Sequence, residues 1–543
     1  FSSGSTALTG VEAIADGVAA FRRPQAKNAA QTLAALGVIS ITMFVGITLL
    51  ANHLHVRPLD AEAAGRLSRL LGHRVEEKSV LAQIGHTVWG GGFGFVFLQI
   101  TTALVLVLAA NTAFQDFPRL SSILAADRFM PRQFVNRGDR LVFSNGVILL
   151  ALFSSVLIVI YSAEVTRLIQ LYVVGVFTSF TLSQTGMVIR WRRLRPPGWR
   201  RLAIVNAIGA ATTGVVLIVV ASTKFVRGAW IVIAAVPLIV MLFKAINRHY
   251  ASVADQLRAP EARPKQVQGT RALVVVPKVD EATMRALGYA RALRPVEIRA
   301  LHVSSGGDEE TVRSEWIARG LPVPLDVEPA VDLVDAVRNH TRSLRQHGDD
   351  FVTVVLPEKI DRRRIRQFVR TRRELMLKAS LLFEPQVVVT NVPTLEDGDT
   401  FTASGPIMPT RNVALVLVSA VHNATLRAVY YGVAIRPTEL RAITFNTDEG
   451  QTSRIMAGWA DADVDVPLEV LDSPFREVTA PLVRLVRQIR ATGSGTVVTI
   501  IVPEFVVAKW YHQFLHNQTA LAIKGAMLFE PGVVVTSVPY HLR

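Results

Sequence analysis

In the first half of the chain, apolar residues gather into long runs separated by short polar stretches. The runs lie at 32–54, 93–115, 146–161, 166–189, 203–222 and 229–246. A bilayer core of about 30 Å takes about 20 apolar residues to cross as a helix. Each run therefore predicts a membrane-spanning helix, and six in succession are not the pattern of a soluble core. A seventh segment at 1–20 is shorter and laced with polar residues. Beyond about residue 270 the pattern changes. Short β-branched runs alternate with amphipathic stretches, which predicts strands alternating with helices in a parallel sheet.

This second region repeats itself. TRALVVVPKVDEATMRALGYARALRPVEIRALHVS aligns with NVALVLVSAVHNATLRAVYYGVAIRPTELRAITFN, setting Arg294-Pro295 over Arg436-Pro437. VTVVLPEKI and LLFEPQVVVTNVP likewise match VTIIVPEFV and MLFEPGVVVTSVP, setting Glu384 over Glu530. Internal similarity at this spacing predicts two tandem domains, each reading as strand, helix, strand, helix, strand. The expected organisation is a membrane domain at 1–248, a linker at 249–270 and α/β copies at 271–400 and 411–543.

Charge refines the picture. The net charge of +16 sits largely in loops between the apolar runs. Arg119, Arg128, Arg132, Arg137 and Arg140 share one loop, and RWRRLRPPGWRR fills another. Basic loops face the cytoplasm, so the α/β region is expected to be cytoplasmic in a plasma-membrane protein. The charge forms no stripe with interleaved aromatics, so nucleic acid is not an expected partner. The absence of cysteine excludes disulfides and thiolate sites. Seven crossings that end inside must start outside, yet the chain opens on Phe1. It reads as cut within or just ahead of a membrane helix.

Two segments carry candidate chemistry. Ser2, Ser3, Gly4, Ser5, Thr6, Thr9 and Gly10 precede the helical VEAIADGVAAF, and glycine with clustered hydroxyls favours unwound backbone. At membrane depth such backbone is tolerated where it lines a cavity, and its freed oxygens suit small cations. Glu12 and Asp16 follow one and two turns into the half-helix, as carboxylates rare inside membranes. The competing reading is a chain end whose acids pair with Arg22 or Arg23. Further on, Tyr172, Gly175, Ser179, Ser183 and Gly186 fall near one helical face. They predict either a cavity wall or a close helix–helix approach.

SSGSTALTGVEAIADGVAAFRRPQAKNA resembles the sixth helix and following loop of amino acid–polyamine–organocation (APC) transporters. It is most similar to the KimA-type potassium–proton symporters of the KUP family. DFPRLSSILAADRFMPRQFVNRGDRLVFSNGVI resembles their loop between the eighth and ninth helices, and LYVVGVFTSFTLSQTGM their tenth helix. The resemblance implies a LeuT/APC-type inverted repeat of which this chain holds helices six to twelve. It implies potassium coordination by Thr9 and Tyr172, with Thr6 beside them, and proton coupling or gate structure for Glu12. It also implies inhibition by cyclic di-AMP, with Arg132 at the matching arginine of the loop.

The tandem copies resemble universal-stress-protein-like domains but lack the glycine-rich phosphate pattern of the ATP-binding kind, which favours a structural, homodimerising role. The expected activity is proton-coupled potassium uptake, without a cofactor and without enzymatic chemistry. An amino-acid permease and a membrane-tethered nucleotide sensor are the alternatives.

Overall fold

The computed structural model describes Val11, Ile14, Gly17, Val18 and residues 21–56, 61–72, 78–135, 143–163, 165–258, 269–304, 307–329, 332–345, 351–361, 372–396, 407–473, 477–507 and 518–542. They form two compact units, one reaching to Asn247 and the other beginning at Arg248.

The first unit is helical: α1 (Gln25–His53), α2 (Ala61–Leu71), α3 (Val80–Trp89), α4 (Phe93–Ala126), α5 (Ser144–Ile160), α6 (Val165–Leu194), α7 (Trp199–Lys224) and α8 (Ala229–Leu257). Five of these, α1, α4, α6, α7 and α8, are long and apolar enough to cross a membrane, and α5 is a shorter apolar helix of 17 residues. On α1 the apolar side chains stand exposed all round and only Ala29 is buried. A helix apolar on every side belongs in lipid or among other helices.

The run at 93–115 continues as helix to Ala126, because Pro118, Ser121 and Ala125 bury along one face beyond the apolar stretch. At Gly146 the start of α5 presses on α4: a Cβ there would lie 2.7 Å from Cα of Pro118. The expected segment at 1–20 lies almost wholly outside the described residues.

The second unit is built on one ten-stranded sheet. Its first copy runs β1 (Thr270–Val275), α9 (Glu281–Ala292), β2 (Glu297–Ser304), α10 (Glu309–Ala318), β3 (Leu325–Pro329), α11 (Leu333–Leu344), β4 (Phe351–Asp361), α12 (Arg372–Leu382) and β5 (Val387–Glu396). The second repeats this as β6 (Arg411–Leu417), α13 (Asn423–Ala434), β7 (Glu439–Asn446), α14 (Glu449–Asp461), β8 (Leu468–Asp472), α15 (Thr479–Ala491), β9 (Thr496–Val507), α16 (Gln518–Met527) and β10 (Val533–Leu542). Each copy thus has five strands and four helices rather than three and two. The additional edge strands, LDVEP and LEVLD, are short and only half-buried, so they lack the apolar run that marks the others.

Strand order is β3-β2-β1-β4-β5-β10-β9-β6-β7-β8. Pairing is parallel within each copy, and the copies meet antiparallel where Thr390 of β5 faces Thr536 of β10. One sheet face carries a single core to which both copies contribute, including Leu293, Trp316, Ile435 and Trp459. The other face carries separate cores, one under α11 and α12 and one under α15 and α16. Two residues of different chemistry start the equivalent helices. The Asp280 side chain accepts from Thr283 N and that of His422 from Thr425 N, each satisfying an orphan first-turn donor.

Helix α8 runs eight residues past 249, into the stretch expected as linker. Val253 and Leu257 explain the extension, since they bury against Ala424, Val507 and Leu542.

Candidate functional site

Helix α6 carries Tyr172 and is apolar enough from Leu171 to Leu194 to span a membrane. One side of it is fixed by packing. Val173, Val174 and Phe177 bury against Val216 and Val220 of α7 and Ala229 of α8, and the half-buried Tyr172 packs at the rim of this cluster.

Below it a polar ladder joins α6 to α7. Thr181 donates to Thr213 at 3.1 Å, Asn206 Nδ2 donates to Gln184 Oε1 at 2.5 Å, and Trp191 Nε1 donates to Asn206 Oδ1 at 3.0 Å. Gly209 makes room for this, since a Cβ there would stand 3.1 Å from the Gln184 amide carbon. Away from water such bonds hold helices together with little competition from solvent.

Beyond Tyr172, the stripe read from the sequence faces elsewhere. Ser179, Ser183 and Gly186 are exposed, and a Cβ added at Gly175 or Gly186 would meet nothing within 4 Å. Within the described residues, this stripe is therefore not the close helix–helix contact that its small residues allow. The α7-facing side has its polar groups satisfied internally, while Ser179 and Ser183 stand exposed on the stripe side. The ladder residues were not singled out by sequence, although Asn206, Gly209 and Thr213 fall at helical spacing within an apolar run.

Arg132 is exposed on the single turn Arg132–Phe134 between α4 and α5. That turn is tied to α5 by Asn145 Nδ2 donating to Gln133 O at 2.8 Å. Thr6, Thr9, Glu12 and Asp16 lie outside the described residues, so the structure does not bring them together with Tyr172. Among the described residues no three His, Asp or Glu side chains gather as metal ligands do.

In the α/β unit the copies exchange hydrogen bonds around their junction. Tyr289 of α9 reaches Thr499 of β9 at 3.2 Å, and Tyr431 of α13 reaches Thr353 of β4 at 3.1 Å. Burial pushes the Tyr289 phenol up to about 12, and burial raises Tyr431 too, with Tyr289 adding to it. Both remain neutral hydroxyls and act as structural ties between the copies.

Comparison with known proteins places both units. Residues 1–243 match the family described as amino acid permease, and residues 267–394 and 410–540 match the KimA potassium transporter C-terminal domain. The potassium transporter KimA of Bacillus subtilis (strain 168) is 36% identical over 408 residues, covering 72% of this chain and 63% of that protein. The chain thus spans less than two thirds of that relative's length. A solved structure, the cytoplasmic domain of a prokaryotic cation chloride cotransporter, matches 50% of this chain and 95% of its own at 10% identity and a TM-score of 0.29. That likeness is too slight to argue from. Joining a helical part that matches amino acid permeases to a paired KimA C-terminal domain, the chain is a multi-pass membrane protein and a homologue of KimA.

Proposed function

We propose that the protein takes up potassium by secondary active transport, coupled to protons. The observation that carries this reading is the relation to KimA at 36% identity across 408 residues, which continues from a permease-type membrane part into the C-terminal pair. In this reading the described helices belong to the second half of a LeuT/APC-type inverted repeat. Tyr172 and the open face of α6 then contribute to the ion path together with Thr6, Thr9 and Glu12. Basic loops put the α/β pair in the cytoplasm, where it dimerises and regulates uptake. Cyclic di-AMP, acting in part through the exposed Arg132, is the inhibitor this reading expects, and the α/β copies are of the universal-stress-protein-like kind.

The test is rubidium uptake into vesicles carrying the complete protein, with and without an inward proton gradient, beside Thr9→Ala and Tyr172→Phe. Gradient-stimulated uptake that each substitution abolishes supports the cation reading and its site. Absence of uptake by folded, inserted protein sinks it. The match of residues 1–243 to amino acid permeases favours amino-acid transport as the second reading. Labelled amino acids tested in the same vesicles decide between the two.

A further inference from the structure

A cavity of about 280 Å³ lies between the two copies of the α/β unit. Its walls come from the end of α9, from the segment ahead of β6 and from the turn ahead of β7. Arg291, Arg294 and Arg436 line it with Asn412 and Thr438, and no carboxylate does. None of the three arginines is paired with a carboxylate among the described residues. Their neighbours Arg271 and Arg411, by contrast, are matched to Glu297 and Glu439.

The fold brings these arginines together on purpose-built backbone. Helices α9 and α13 end in Arg294-Pro295 and Arg436-Pro437, and each arginine takes the left-handed conformation, at φ +46° and +43°. Glycine or asparagine is the ordinary occupant of such a helix end, and an arginine there in both copies accepts strain of the sort that persists at functional sites. The wall opposite depends on Gly288, where a Cβ would lie 1.9 Å from the Ile407 carbonyl oxygen. Only glycine lets that segment lie against α9.

A second, independent feature points to a ligand. Asn412 is 2% exposed, its Oδ1 accepts from Thr499 at 2.8 Å, and its Nδ2 is buried with no partner. A donor left buried and unpaired keeps its full desolvation penalty. In the first copy the same place is held by Thr270, whose hydroxyl is satisfied by Thr353 and Phe351 O. The unfilled donor is therefore peculiar to the second copy, on a residue that lines the cavity.

We propose that this cavity binds a compact polyphosphorylated anion. Planar guanidiniums pair bidentately with phosphoryl oxygens, and three of them with an amide donor and no aromatic wall suit a short chain of phosphates better than a stacked base. The site belongs to the α/β unit, and its occupancy is readable without transport.

The probe is tripolyphosphate, titrated calorimetrically into the complete protein in detergent at physiological ionic strength, with inorganic phosphate and cyclic di-AMP in parallel. Tripolyphosphate is expected to bind, and more tightly than phosphate. Arg294→Gln and Arg436→Gln are each expected to weaken it about tenfold, and Asn412→Thr, which installs the first copy's residue, to weaken it severalfold. Arg313→Gln, an exposed charge on α10 removed elsewhere, should leave it unchanged. Equal weakening by Arg313→Gln, no binding by folded protein, or cyclic di-AMP binding at these residues in place of tripolyphosphate would each overturn the assignment.

Discussion

At the scale of single residues, His541 on β10 shows how burial couples one ring to stability. Its Nε2 lies 3.0 Å from Leu382 O, a contact that the neutral ring makes as a donor. Burial holds its pKa below the ordinary histidine value and the nearby Arg427 pushes the same way, against the Leu382 carbonyl and Glu384. As pH falls through the ordinary value, the unfolded chain takes up a proton that the folded ring does not. Stability therefore drops with falling pH until the folded ring also protonates. Thermal unfolding of the wild type should weaken more between about pH 7.5 and pH 5.5 than that of His541→Gln, which keeps a donor for Leu382 O without titrating. Parallel losses in the two proteins would remove His541 from the account.

At the scale of elements, the pairing of α6 with α7 rests on Asn206, which donates to Gln184 and accepts from Trp191. Asn206→Leu leaves both partners unpaired between helices, at a cost of roughly 0.6–2 kcal/mol. In a double-mutant cycle with Gln184→Leu, thermal stability in detergent should show the two losses to be less than additive, because they remove one bond. Strict additivity would mean that the ladder does not hold the pair.

That ladder also marks where the sequence stops informing. The spans could be read because a bilayer demands an unbroken apolar run, and the tandem copies because buried parallel strands are β-branched throughout. Which face of α6 meets α7 is decided by a partner helix that no local pattern specifies. Hence the sequence picked out Tyr172 and the serine stripe but passed over Gln184 and Asn206. The left-handed arginines were visible only as a repeated Arg-Pro, and their convergence on one cavity required the strand order. Of the residues singled out for the ion path, Tyr172 alone falls within the described structure.

At the scale of the whole α/β unit, the repeat makes one folding unit rather than two. Both copies contribute to the core on one face of the sheet. Tyr289 and Tyr431 each bond across to the other copy, and Phe351 of the first packs edge-on against Tyr431 of the second with ring centroids 5.3 Å apart. Neither copy can open that face without exposing apolar surface and unpairing buried hydroxyls belonging to the other. Ile501 on β9 is fully buried in the shared core, and Ile501→Ala should cost roughly 2–5 kcal/mol in transfer and cavity terms. Because the core is common, the loss should not stay in the second copy. Hydrogen exchange of the complete protein should show the slowest amides of β1 and β4 deprotected along with those of β6 and β9, since the globally protected amides of a cooperative unit open together. Deprotection confined to residues beyond Arg411 would mean that the copies fold independently and that the tyrosine ties are incidental. A joint loss would make the unit a single cooperative body. Strain at Arg294 or Arg436 would then be felt across the sheet, as a site between the two copies requires if its occupancy is to bias the state of both.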